Sequence, residues 1–303
     1  MQTQTSTPVS RIGLKVVLWG LVVLYTFILP DVIFVYRAIV GFFGQVAAGK
    51  VPVVIVGTVG IAYVVVVLLT QRNLKNLLFL IPCGTIAFLI IRLVSNPNKH
   101  IHIPEYVLMA WLLYAVLSKD YKGKGLFILI FIYASMLGVV DELEQGIHPA
   151  RFYGLSDMTV NSASAMIGVF TIMGLKKYIA TDWAWTTHLK DYKGLLWLIL
   201  FGLIGAVIMC SYLFRVQASE AFSGVYPIWL WTLNILFLIM TPAMMVYYRR
   251  TLQKYIQISE TGNVSGPQPE GITARLWIFP LLAILFYMHA LVIYVSIFGV
   301  NFI

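Results

Sequence analysis

Nine apolar runs, each about long enough to cross a bilayer, constrain this chain more than any other feature of its sequence. A hydrocarbon core of about 30 Å takes about 20 mainly apolar residues as helix. The runs are Leu14–Tyr36, Val51–Thr70, Leu77–Leu93, Ile101–Leu117, Leu126–Val140, Met158–Leu175, Leu195–Phe214, Tyr226–Tyr248 and Leu276–Phe298. They are continuously apolar and do not alternate at every second residue, so the pattern predicts helices and excludes a membrane β-barrel. The chain is 60% hydrophobic and 11% charged, where a soluble domain carries about a quarter charged residues. The expected fold class is therefore all-α, a polytopic integral membrane helical bundle with about nine transmembrane helices. Pro30 and Asp31 mark a break in the first run. The tail after them, "DVIFVYRAIVGFF", reads either as more of the span or as a segment lying along the surface. The leading "MQTQTSTPVSRIGLK" has basic residues before an apolar run too long for a cleaved signal, and reads as a signal anchor.

Sidedness follows from Lys and Arg, which are enriched in cytoplasmic loops. With the N-terminus inside, fifteen of the 21 basic residues fall on the inner side, among them Arg72, Lys75, Lys119, Lys122, Lys124 and Arg249. The C-terminus is then outside. Seven of the 12 acidic residues, Asp31, Glu105, Asp141, Glu142, Glu144, Asp157 and Glu220, fall on the outer side or at outer helix ends. The net charge of +9 is thus a topology signal, and no nucleic-acid partner is expected. The expected location is the cytoplasmic (inner) membrane.

The chain divides by pattern into residues 1–73 with two spans, a core over 74–175, two spans over 176–256, a Gly-, Pro- and Ser-bearing cytoplasmic linker over 257–275, and a last span over 276–303. Cys83 and Cys210 lie inside apolar runs and match no metal-binding spacing, so they read as buried hydrophobes.

Chemistry concentrates in "DELEQGIHPARFYGLSDMTVN", Asp141 to Asn161, and in "NKHIHIPEY", Asn98 to Tyr106. Residues three and four apart share a helix face. Lys99, His102 and Tyr106 form one stripe, Asp141 and Gln145 another with Glu142 beside them, and Asp157, Asn161 and Ser164 a third. Arg151 lies in the loop between. Three helix ends would then bring acids, amides, a histidine and two cations to one volume near the outer interface. Plainer readings stand beside this one. Ser156 or Asp157 can cap a helix N-terminus; Asp141, Glu142 and Arg151 can form a structural ion pair; Glu144, His100 and His148 read as solvated. Ionisable groups near membrane depth are costly, and several converging from three helices mark a functional site.

The cluster resembles the VanZ-like membrane family, whose pattern is Asp-Lys-x-x-His-Phe-x-x-Tyr, then Asp/Glu-Glu-x-x-Gln, a Pro-x-Arg, and Asp-x-x-x-Asn opening the next helix. Lys99, His102, Tyr106, Asp141, Glu142, Gln145, Pro149, Arg151, Asp157 and Asn161 match, and Gly168 follows. Asn98 stands where Asp is usual, and Ile103 replaces Phe. The resemblance covers roughly residues 74–175. The family is named for a member implicated in resistance to the glycopeptide teicoplanin, and the resemblance implies no specific reaction.

Two functions compete. In the first, the site binds or processes a lipid or lipid-linked precursor with an anionic, phosphate-bearing head group. Lys99 and Arg151 would hold the phosphate, Arg through its bidentate fork. His102 would carry a proton, Glu142 would act as acid or base, and Asp157 would sit with them in the chemistry. Tyr106, Asp141, Gln145 and Asn161 would bind and orient. In the second, the chain is a non-enzymatic subunit of a larger membrane complex, with membrane protein partners and a structural cluster. A hard divalent cation would find oxygens on Asp141, Glu142, Asp157 and Asn161 and a nitrogen on His102. No recognised metal spacing supports one, so no metal or other cofactor is expected.

Overall fold

The computed structural model describes residues 8–71, 74–147, 151, 153–176, 181–186, 189–217, 226–260 and 270–298. All regular structure among them is helical, with no strand. Ten α-helices follow one another: α1 Pro8–Ile28, α2 Val32–Phe43, α3 Gln45–Gln71, α4 Leu80–Leu93, α5 His102–Leu117, α6 Gly123–Ile147, α7 Leu155–Gly174, α8 Lys193–Gln217, α9 Ile228–Glu260 and α10 Glu270–Phe298. Eight segments among the described residues are long and apolar enough to cross a membrane. The surface agrees with that reading. Phe42 is 84% exposed and Leu93 79%, while Asp141 and Asn161 are fully buried, the distribution of a protein whose solvent is lipid.

The ninth expected span, Met158–Leu175, is a helix but does not meet that standard of apolarity. Its first half carries Ser156, Asp157, Thr159, Asn161, Ser162 and Ser164. Asp157, Asn161 and Ser164 are turned inward and buried, so composition alone understates how apolar its outer surface is.

Local chemistry explains the breaks. Pro30 opens a 3-10 turn, Leu29–Asp31, between α1 and α2, because proline lacks the N–H an α-helix would use there. Gly44 ends α2 at φ 80°, a backbone region that residues with a Cβ rarely adopt. Pro52, Pro242 and Pro280 lie inside α3, α9 and α10, which membrane helices tolerate. The segment 257–275, expected as a linker, is helical at both ends, since α9 runs to Glu260 and α10 starts at Glu270. Residues 261–269 between them lie outside the described residues.

The chain forms two compact units. The first comprises Met1–Asp141 and Ser156–Thr181, the second Glu142–Leu155 and Asp182–Ile303. In the first, α5 packs against α1 and α3. Its buried face runs Tyr106, Met109, Ala110, Leu113, Val116 and Leu117, the spacing of one helical stripe. Tyr133 and Ala134 of α6 and Ile172 of α7 are likewise buried. In the second unit α8, α9 and α10 pack on one another around Met209, Phe237, Leu282 and Leu285. Gly202 of α8 makes room for the Phe237 ring, whose Cε2 would lie 2.5 Å from a Cβ there.

Small residues set the closest approach in the first unit. A Cβ on Gly168 of α7 would lie 2.6 Å from Ala110 Cβ and 3.1 Å from the Val107 backbone of α5. Between membrane helices such close packing replaces the hydrophobic effect as the source of cohesion. Gly168→Val must push α5 from α7, and overpacking of this kind costs about 1–3 kcal/mol. The expected outcome is a lower thermal midpoint in detergent; an unchanged midpoint would show that the two helices do not meet at Gly168.

Candidate functional site

The residues singled out in sequence fall into one group in each unit. In the first unit, Pro97–Ile101 is a 3-10 turn leading into α5, started by Asn96, whose side chain accepts the Asn98 N–H at 3.1 Å. The turn carries Lys99 to the N-terminus of α7. Its Nζ lies 2.6 Å from Asp157 Oδ1 and 3.2 Å from Ser156 Oγ. α7 begins at Leu155, so Ser156 and Asp157 lie inside its first turn and not at the N-cap expected of them; there the Asp157 charge suits the helix dipole, and it also holds Lys99.

One turn deeper, Tyr106 donates its hydroxyl to Asp141 Oδ2 at 3.0 Å, with both residues fully buried. His102 Nδ1 is 3.0 Å from Glu105 Oε2, three residues on in α5. Asn161 Nδ2 donates to the Gly138 carbonyl at 3.5 Å. Gly138 permits that approach, since a Cβ there would lie 3.0 Å from Asn161 Cβ. Tyr25 of α1 closes the group by donating to the Glu105 carbonyl at 3.0 Å.

Two carboxylates of this group therefore face a donor, Lys99 for Asp157 and Tyr106 for Asp141, while Glu105 has the His102 ring beside it. Such matching is what burial demands, because an unpaired buried charge costs several kcal/mol. A ligand nitrogen of His102 also lies within 4.8 Å of a carboxylate oxygen of Asp157. That pair alone is a poor cation site, as the Lys99 ammonium already neutralises Asp157.

The second unit holds Glu142, Gln145 and Arg151. All of DELEQ lies within α6, which runs seven residues beyond Val140 to Ile147. Glu142 is fully buried and accepts the Gly154 N–H at 3.1 Å, fixing the loop backbone. Arg151 is half-buried. Its Nε donates to Gln145 Oε1 at 3.0 Å, and Nη2 donates to the same oxygen. No carboxylate lies within ion-pair distance of Arg151 among the described residues. The expected Asp141–Glu142–Arg151 ion pair is not formed by its Glu142–Arg151 half. A neutral amide holds the guanidinium instead.

Other expectations are corrected. His100, read as solvated, is buried with Nε2 3.0 Å from the Val94 carbonyl. Glu144, also read as solvated, is half-buried and accepts the Tyr287 hydroxyl at 2.9 Å. His148 and Pro149 lie outside the described residues. Cys83 and Cys210 are buried free thiols, as expected. A further polar group lies in the second unit: His289 Nδ1 sits 2.8 Å from Asn234 Oδ1, Nε2 3.3 Å from the Gly202 carbonyl, and the ring stacks on Phe237 at 4.1 Å. Both ring nitrogens are thus engaged, a structural use of histidine.

No family model, curated protein or solved structure matches the chain.

Tyr153, beside Arg151 in sequence, anchors the loop by donating to the Cys210 carbonyl at 3.0 Å. Burial first, then the Cys210 contact and hydrogen bond and the Glu142 charge, push its pKa up. The fold thus favours the protonated phenol. That contribution is complete below the ordinary phenol pKa of about 10 and is lost as pH climbs above it. Tyr153→Phe loses the hydrogen bond, about 0.5–1.5 kcal/mol, at neutral pH. Above about pH 10 its stability should fall less steeply than that of the wild type in alkaline unfolding; parallel curves would place Tyr153 in solvent.

Proposed function

We propose that the chain is a VanZ-like inner-membrane protein. It crosses nine times, with α7 as the ninth span, the N-terminus inside and the C-terminus outside. The loop between α6 and α7 is extracytoplasmic, and Arg151 there binds the phosphate of a lipid or lipid-linked head group. The observation that carries this is the way Arg151 is held. Two of its N–H groups meet one neutral amide oxygen, which orients the planar fork without cancelling its charge. A guanidinium so presented keeps Nη1 and its positive charge for an anion, and Arg recognises phosphate bidentately. Lys99 contributes less than expected, because Asp157 engages it. Glu142, Gln145 and Tyr153 act as positioning residues that hold the loop around Arg151.

Binding is favoured over catalysis. Of the three residues with expected acid, base or catalytic roles, Glu142 holds a backbone N–H, Asp157 holds Lys99, and His102 faces Glu105. The matched group in the first unit supports a second reading, that of a structural subunit of a membrane complex whose buried polar residues fix helix register.

Native mass spectrometry of protein extracted gently from its own membranes separates the two. Wild type should carry an anionic lipid in stoichiometric amount, with inorganic phosphate as competitor distinguishing a free anion from a head group. Arg151→Ala should weaken it ten- to a hundredfold, the equivalent of about 1.5–3 kcal/mol for charge-assisted hydrogen bonds. Equal retention by both proteins would remove the head-group reading. Stoichiometric protein partners with no lipid difference would establish the subunit.

A further inference from the structure

The first unit contains a half-open cleft of about 670 Å³ among α3, α4, α5 and α7, well away in sequence from Arg151. We infer that it is a binding site for one hydrocarbon chain of a membrane lipid. This inference does not rest on the head-group reading.

The volume falls in the range of about 300–1,000 Å³ typical of small-molecule sites. The wall is carbon almost throughout. Ile103 and Val107 of α5, Ile167 of α7 and Val56 of α3 face it. Three of its few polar groups are already used: Trp111 Nε1 donates to Thr171 Oγ1 at 3.1 Å, and Cys83 Sγ lies 3.6 Å from the Ile167 carbonyl. Water entering such a cleft finds almost nothing to bond, and apolar cavities stay dry. Vacant, it would forfeit the dispersion contacts of its whole lining.

Three glycines make the space. Gly57 and Gly60 of α3 and Gly84 of α4 line the cleft, and a Cβ on any of them would meet nothing within 4 Å. They differ from Gly168 and Gly174, where a Cβ would strike a neighbouring helix at 2.6 and 2.0 Å. Glycine at a helix contact allows close approach; these three allow no contact and leave a void. Gly57, Gly60 and Gly84 lie in segments able to cross a membrane, so the medium at the cleft mouth is lipid hydrocarbon, and its acyl chains are the occupant at hand.

The test uses full-length protein extracted in detergent, exhaustively washed with it and weighed by native mass spectrometry. Wild type should retain one lipid after its annular lipids are gone. Gly60→Leu and Gly84→Leu, which put a side chain into the cleft from positions where a Cβ meets nothing, should each lose it. Gly20→Leu, on α1 with nothing near its Cβ, should keep it. No retained lipid in wild type, or equal retention in the filled variants, overturns the proposal. Should leucine prevent folding, Gly57→Ala and a diazirine-bearing acyl phospholipid replace it. Saturable labelling of Trp111 or Ile167 that excess unlabelled phospholipid abolishes supports the site, and labelling confined to residues outside the cleft overturns it.

Discussion

A carboxylate inside a helical membrane bundle has no water to turn to, so it must find a donor on its own helix or a neighbouring one. The first unit is arranged around that requirement. Asp157 meets Lys99 at the N-terminus of α7, and Asp141 of α6 meets Tyr106 of α5, while Glu105 lies beside the His102 ring within α5. Each of the first two contacts ties a pair of elements at one depth. Slide α5 by a single residue along α6 and Tyr106 would leave Asp141 buried without its phenol. Polar pairs of this kind specify register, a role that apolar packing alone fills poorly because one aliphatic contact resembles the next. Gly138 and Gly168 serve the same end from the other side. They remove the Cβ atoms that would hold α6 and α5 away from α7, so the polar atoms can come within reach.

Most of the helical layout was legible because a membrane span is written as a run of apolar residues, and the break at Pro30 was legible because proline removes an N–H. The polar stripes were legible too, since Lys99, Tyr106, Asp141, Asp157 and Asn161 recur at helical spacing. Partner choice was not. Whether Arg151 meets Glu142 or Gln145 depends on a loop path of a few residues, and pattern carries no information about that path. Nor did the pattern show how far α6 runs past Val140, to Ile147. DELEQ looks like the end of an apolar segment, yet each of its residues has helix propensity or a buried partner to justify another turn and a half. Hydropathy averages around a helix, and α7 falls short of a span's apolarity on that average while Asp157, Asn161 and Ser164 all lie on its buried side.

Holding a cation with an amide and holding it with a carboxylate lead to different chemistry. The Lys99–Asp157 pair is neutral overall and attracts little, so it suits architecture. Gln145 fixes the direction of Arg151 with two N–H bonds to one oxygen but leaves the unit charge standing. A half-buried cation of that kind is tolerable at an interface where anions are plentiful and costly where they are absent. The contrast between the two cations, alike in sequence context, is what makes Arg151 the better candidate for a ligand contact.

The same economy of faces runs along α5 and α7. On α5, Tyr106 turns toward Asp141 while Ile103, Val107 and Trp111, spaced by four, turn toward the cleft. On α7, Asp157, Asn161 and Ser164 are buried in the polar interior, while Ile167 and Thr171, and Leu175 just past its end, line the cleft. A helix wheel divides in this way only if each face has something to answer to. The polar face answers to the neighbouring carboxylates and amides. The apolar face of the cleft has no protein side chain opposite it where Gly57, Gly60 and Gly84 stand. The cleft is half-open, and in a bilayer the medium at its mouth is hydrocarbon.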